Sequence, residues 1–231
     1  MPAFIASSKF DFVYLSVPKA GCTSVKNWMY HLEHGRYPEK PLDIHKIEQS
    51  RLIHFDNNRS KVYEALRRSF VFTLVRHPLK RAYSLFNEKI LHQSQYAFGD
   101  AQVLLKNRYG ASLRNESLEE CRADFLAFLN LVRDTQRKTV DFRLDWHWIP
   151  QTVIINDALR FRTLDFIGRV ETMDQDMEFV MKRTGATTIP FPRFNEGPKS
   201  KFAYEEVLTD RIRDLGKQIY ATDLENFAYS I

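Results

Sequence analysis

The run Ser69-Phe70-Val71-Phe72-Thr73-Leu74-Val75 constrains the fold more than any other feature of this chain. From Phe70 on its residues are apolar or β-branched without a polar alternate, so both faces of the strand must be covered, as in a parallel sheet sheathed by helices. The run stops at Arg76-His77-Pro78, and Leu79 to about Leu91 then reads as a helix, with proline tolerated at its start. Strand, loop and helix recur upstream: Phe12 to Val17 is a short strand, Pro18 to Gly21 a turn, and Thr23 to about Leu32 a helix. Arg51 to Phe55 gives another short strand, followed by a helix from Lys61 to Arg68, and Leu164 to Gly168 gives a fourth. This alternation predicts an α/β fold, a three-layer domain with a central parallel β-sheet flanked by helices. The 231 residues, 44% of them apolar, suffice for one core, and no repeat or linker-like tract divides them. Residues 1–231 are therefore expected to form a single domain.

Between these units the pattern is uneven. Residues 92–115 show no clear period and read as a mobile connection or lid. Ser117-Leu118-Glu119-Glu120 has the form of a capping box, after which Leu118, Cys121, Phe125, Phe128 and Val132 share one helical face. Met173, Met177, Val180 and Met181 mark a helix ended by Gly185, with the methionines as core filler. Three prolines and a glycine make Ile189 to Ser200 a loop, and Leu208, Ile212, Leu215 and Ile219 form a last helix expected to dock on the sheet.

Lys and Arg outnumber Asp and Glu by 34 to 29, a net +5, which favours an anionic ligand and leaves nucleic acid, an acidic polymer and a phosphorylated cofactor open. The two cysteines, Cys22 and Cys121, are too few for a disulfide framework and fit a reducing compartment. The chain is accordingly expected in the cytoplasm, with the Golgi lumen as the alternative if an N-terminal anchor has been removed. The first residues lack the apolar core of a signal peptide, and no run approaches the roughly 18 apolar residues of a transmembrane segment.

Phosphate is held well where a strand ends, several N–H groups converge, and a helix N-terminus adds the positive end of its dipole. Pro18-Lys19-Ala20-Gly21-Cys22-Thr23-Ser24 supplies a glycine for close approach, two hydroxyls, and Lys19 as a point charge. The lysine precedes the glycine, and no glycine stands five residues before Gly21, so the loop is not the Gly-x-x-x-x-Gly-Lys-[Ser/Thr] of ATPases. A plain strand-to-helix turn with a surface lysine is the alternative, and Cys22 reads as a small residue packed beneath the loop rather than a reactive thiol. Downstream, Arg76 closes the core strand and Ser84 follows eight residues later, a fork and a hydroxyl able to hold a second phosphate.

Taken together, Pro18 to Ser24 and Arg76-His77-Pro78 with Ser84 resemble the two nucleotide-binding motifs of sulfotransferases that use 3′-phosphoadenosine 5′-phosphosulfate (PAPS). The likeness is greatest to the carbohydrate (Golgi-type, family 2) branch, where Pro-Lys is followed by Cys-Thr and the second motif reads Val-Arg-x-Pro. Further matches are His147-Trp148-Ile149-Pro150-Gln151, Asp165 to Thr172, and Tyr220 to Phe227, so that the resemblance spans roughly residues 12 to 229.

The resemblance implies a P-loop-like fold, with Lys19, Ala20, Gly21, Cys22, Thr23 and Ser24 on the 5′-phosphosulfate and Arg76 and Ser84 on the 3′-phosphate. Lys19 would also stabilise the leaving phosphate, and 3′-phosphoadenosine 5′-phosphate (PAP) would be the product. A basic loop near the C-terminus closes over the nucleotide in this family; Gly197-Pro198-Lys199-Ser200-Lys201 stands in that place, so Lys199, Ser200 and Lys201 are binding candidates, with a solvated loop as the alternative. The acceptor is expected to be a hydroxyl on a carbohydrate, glycan or glycolipid, not nucleic acid.

A general base for that hydroxyl is worth about 10²- to 10⁴-fold. His54, on a short strand 22 residues before Arg76, is the choice among seven histidines, since cytosolic sulfotransferases resemble this spacing; a core histidine is the alternative, and Glu88 is a reserve base. His77 sits among residues serving the 3′-phosphate, and His147 lies in the aromatic segment Trp146-His147-Trp148. His31 and His34 have helical spacing without a third ligand, so no metal is expected. A P-loop kinase and a non-catalytic binder of anionic polymers remain as alternative functions.

Overall fold

The computed structural model describes residues 3–39, 43–46, 52–92, 98–142, 145–194 and 200–231. Strands β1 (Phe4–Ala6), β2 (Phe12–Leu15), β3 (Ile53–His54), β4 (Phe70–Val75) and β5 (Phe166–Arg169) form one sheet in the order β3-β1-β2-β4-β5. The helices are α1 (Cys22–His34), α2 (Arg59–Arg68), α3 (Pro78–Leu85, continued by a π-helical stretch Phe86–Leu91), α4 (Gly99–Tyr109), α5 (Leu118–Gln136), α6 (Gln151–Leu159), α7 (Met173–Thr184), α8 (Tyr204–Val207), α9 (Asp210–Ile219) and α10 (Ala221–Asn226).

The sheet is parallel where the sequence demanded it: Tyr14 of β2 pairs with Phe72 of β4, and Phe72 with Phe166 of β5. Strand β1 is the addition, antiparallel to both β2 and β3, which makes β3 run in the direction of β2. Three residues are too few to show a period, so β1 left no sequence signal.

The chain divides into two compact units. Residues 1–76 and 153–196 form the first, which contains all five strands. Its main core lies on one face of the sheet, where Val25, Trp28 and Met29 of α1 and Met173, Met177 and Val180 of α7 meet Phe12, Tyr14 and Phe72. The Phe12 ring stacks on Trp28 with centroids 5.1 Å apart. Phe4 alternates with Ile5 and so faces the other side; it meets Phe55 at 6.5 Å, and Phe55 meets Tyr63 of α2 at 5.3 Å. Three layers result, helix on sheet on helix.

Residues 77–152 and 197–231 form the second unit, which is helical among its described residues. Cys121, Phe125, Phe128 and Val132 are all buried along α5, as their spacing predicted. The Ser117 hydroxyl accepts from the Glu120 N–H at 3.1 Å, while the Glu120 carboxylate reaches one residue further back, to the Glu116 N–H at 2.9 Å. Helix α9 finds its partner in α5, and Gly216 lets it approach α3, since a Cβ there would lie 2.5 Å from the Leu79 side chain. Residues 99–109 are helical where a connection was expected; only Ala101 and Leu105 of α4 are buried, and Val103 is 58% exposed, so the segment has no apolar stripe to read. Residues 93–97 of that stretch lie outside the described residues.

Two downstream segments singled out by resemblance prove to be one lock. The buried Asp223 carboxylate accepts from the Gln151 N–H at 2.8 Å and the Thr152 N–H at 2.7 Å, closing the start of α6 from 72 residues away. Tyr220 donates to the Trp148 carbonyl at 3.2 Å, and the buried Arg81 donates to the Ile149 and Trp146 carbonyls at 2.8 and 3.0 Å. These bonds tie the two segments together within the second unit.

Candidate phosphate-binding site

At the end of β2 the chain reverses within a few residues. The Ala20 N–H donates to the Val17 carbonyl at 3.3 Å, closing a turn with Pro18 second and Lys19 third. Lys19 has φ +64°, the left-handed region that a type II turn requires at this place and that costs a residue with a side chain about 1–2 kcal/mol. Gly21 follows at φ +73°, a conformation that calls for glycine, and a Cβ there would also displace the Met173 methyl, 2.2 Å away. Helix α1 therefore starts at once. The first intrahelical bond is Val25 N–H to Gly21 C=O at 3.3 Å, which leaves the N–H groups of Cys22, Thr23 and Ser24 ahead of the ladder. Among the described residues no side chain caps this end, and its first turn carries no acidic residue. Anions are favoured there.

The neighbouring strand brings a second cation to the turn. Thr73 donates to the Leu15 carbonyl at 2.7 Å, fastening β4 to β2, and Arg76 just beyond β4 donates from Nη1 to the Lys19 carbonyl at 3.4 Å. Lys19, Ala20, Gly21, Cys22, Thr23, Ser24 and Arg76 are thus assembled in the first unit. Not every side chain faces outward: Ala20 is buried, and the Ser24 hydroxyl is engaged with Phe194, accepting from its N–H at 3.0 Å. Tyr14 lies fully buried in β2 with its phenol well above the ordinary value, because burial and then the nearby Cys22 disfavour the phenolate.

The remaining predicted residues stand elsewhere. His54 ends β3, buried, with its N–H given to Asn57 Oδ1 at 3.0 Å and its carbonyl accepting from the Asn58 N–H at 2.9 Å. It pairs with Ile5, level with Tyr14 and Phe72, and β1 lies between its strand and β2. Since β3 runs with β2, His54 sits toward the same carboxyl end of the sheet as the turn. Ser84 lies on α3 in the second unit, half-buried. In that unit Ser200 Oγ meets the Tyr83 hydroxyl at 2.6 Å, and Lys201 donates to the Asn115 and Glu116 carbonyls at 3.0 and 2.8 Å. Lys199 and Arg51 lie outside the described residues. Glu88 is ion-paired with Lys89 at 3.0 Å.

Two residues absent from the sequence reading adjoin the turn. His45 Nε2 lies 3.0 Å from Thr23 Oγ1, and its Nδ1 lies 3.4 Å from Lys26 Nζ. Lys26 carried a partial signal, one helical turn beyond Cys22 on the same side of α1; His45 came from a stretch without a period. His31 and His34 pack on Tyr37 and Tyr30, each with centroids 4.3 Å apart. Among the described residues no three His, Cys, Asp or Glu side chains stand where they could hold a metal ion. No helix among them is long and apolar enough to cross a membrane.

A helix N-terminus without a side-chain cap after a parallel strand, with a lysine in its turn and an arginine from the next strand, places this chain among α/β proteins whose first strand-to-helix turn favours an anion. The Sulfotransferase family pattern matches residues 2–230, and the chain belongs to that family. It is similar to carbohydrate sulfotransferase 8 of Mus musculus, 27% identical over 213 residues that cover 87% of this chain and 47% of the relative. Carbohydrate sulfotransferase 9 of Homo sapiens is 25% identical over 217 residues, covering 90% and 47%, and carbohydrate sulfotransferase 11 of Rattus norvegicus is 24% identical over 252 residues, covering 98% and 67%. The chain spans about half the length of the first two relatives. No solved structure matches it. Family membership implies PAPS as the sulfate donor, and the turn fits an anionic group: three N–H groups precede the helix ladder, and Lys19 carries the countercharge.

Proposed function

We propose that the protein transfers the sulfuryl group of PAPS to a carbohydrate hydroxyl, on a glycan or glycolipid. The observation that carries this reading is the contact of Arg76 with the Lys19 carbonyl, which joins two anion-binding motifs from neighbouring strands in one place. The sugar acceptor is supported by the relatives, which are named as carbohydrate sulfotransferases. The family match covers both compact units, which supports one sulfotransferase domain. Both cysteines are unpaired, in keeping with a reducing compartment such as the cytoplasm.

PAPS supplies an activated sulfuryl group whose S–O bond to phosphate breaks as the bond to the acceptor oxygen forms. The residues of the chain hold charge and move one proton. Lys19 and the N–H groups at the start of α1 stabilise the negative charge gathering on the leaving phosphate. Arg76, with Ser84, holds the 3′-phosphate. His54 takes the proton of the acceptor hydroxyl, a role supported by its place at the carboxyl end of β3; Glu88 is the reserve. The resemblance gives Lys199, Ser200 and Lys201 a part in binding the nucleotide.

Calorimetric binding of two nucleotides tests the reading. Arg76→Ala should weaken PAP far more than adenosine 5′-phosphosulfate, because only PAP carries a 3′-phosphate. Equal losses, or magnesium-dependent transfer from ATP with no binding of PAP, would overturn it. A screen of glycans and glycolipids with labelled PAPS then identifies the acceptor.

A further inference from the structure

Lys26 is 8% exposed, an unusual place for an ammonium, which must find polar partners when taken from water. Burial holds its pKa below the ordinary lysine value, while Cys22 and Asp43 pull the other way. Its neighbour across the gap is His45, from a short turn whose own bonds fix it: the His45 N–H donates to Asp43 Oδ1 at 2.9 Å, the Lys46 N–H to the Asp43 carbonyl at 3.1 Å, and Ile44 is anchored in the core. The imidazole is thereby set between two side chains of α1, with Nδ1 3.4 Å from Lys26 Nζ and Nε2 3.0 Å from Thr23 Oγ1.

The chemistry of the three groups fixes the direction of the bonds. An ammonium only donates, so the ring nitrogen facing it accepts, and the neutral ring carries its proton on Nε2. That N–H donates to Thr23 Oγ1. With its oxygen occupied as an acceptor, the Thr23 hydroxyl turns its own proton to a third group. Thr23 belongs to the uncapped first turn of α1, where an anion is favoured.

We propose that Lys26 and His45 are positioning residues that hold Thr23 as a hydrogen-bond donor to the 5′-phosphosulfate, with the Lys26 charge one side chain behind it. This rests on the reading of the Pro18–Ser24 turn as the 5′ site. The bonds polarise one another in sequence, so that loss of either outer member weakens the donor.

The test compares PAP with adenosine 3′-phosphate, which lacks only the 5′-phosphate, by calorimetry on the full chain. His45→Ala and Thr23→Val should each weaken PAP roughly tenfold, the worth of one charge-assisted hydrogen bond, and leave adenosine 3′-phosphate unchanged. The double variant should lose little more than either single one, and millimolar imidazole should restore PAP binding to His45→Ala. His45→Gln keeps an N–H for Thr23 and should retain most of the affinity; it also serves if His45→Ala fails to fold. Lys26→Met should weaken PAP as well, without imidazole rescue. Equal loss of both ligands, additive single effects or absence of imidazole rescue would reject the relay. If Lys19→Ala also leaves PAP binding intact, the reading of the turn itself fails; if Lys19→Ala weakens PAP while His45→Ala does not, only the relay fails.

Discussion

Lys19 carries two burdens that a substitution pair can separate. Its side chain supplies charge, and its backbone occupies the left-handed region at φ +64°. Lys19→Gly removes both the charge and the strain; Lys19→Ala removes the charge alone. The glycine variant should be more stable in urea than the alanine variant by about 0.5–1 kcal/mol, the strain relieved less the added chain entropy. Both should lose PAP affinity to the same degree, and retained affinity in either would deny the ammonium its role. His54 calls for a different measurement. If it takes the acceptor proton, His54→Ala should lower kcat by about 10²-fold or more with PAP affinity unchanged. Normal turnover would send the search to Glu88. Lys19 and Arg76 were legible because each stands within two residues of a proline just past an apolar run. Lys26 and His45 were not, since their contact spans 19 residues and follows no spacing rule.

Helix α6 is held at its start by a residue from outside itself. Its first N–H groups are accepted by the Asp223 carboxylate, which is fully buried. Asp223→Ala should cost about 2–3 kcal/mol, because it strands two donors at once, and should lower the urea midpoint accordingly. Asp223→Asn keeps one acceptor and should lose less; an unchanged midpoint in the alanine variant would mean that water replaces the carboxylate. The strands of the parallel core were readable from composition alone, because burial on both faces admits few residue types. Strand β1 is too short to show alternation, and α4 places its apolar residues around its whole circumference. The π-helical stretch Phe86–Leu91 left no mark either: its residues continue the helical pattern of α3, and only the hydrogen-bond ladder changes. The Asp223 lock was visible as resemblance while its purpose was hidden, since neither segment shows a pattern without the other.

For the molecule as a whole, ligand binding should appear as stability. PAP at a hundredfold excess over its Kd should add about 2.7 kcal/mol, which for a chain of this size raises Tm by about 5–10 °C. Arg76→Ala should abolish most of the rise.

The lock on α6 also sets an order of events during synthesis. Asp223 is made 72 residues after Gln151, so at ~5–20 residues per second it is added to the chain about 4–14 s later. Arg81 has its two carbonyl partners at positions 146 and 149 already made by then. The partners of Arg81 thus exist before Asp223 does, and until Asp223 is made the first N–H groups of α6 lack their carboxylate acceptor.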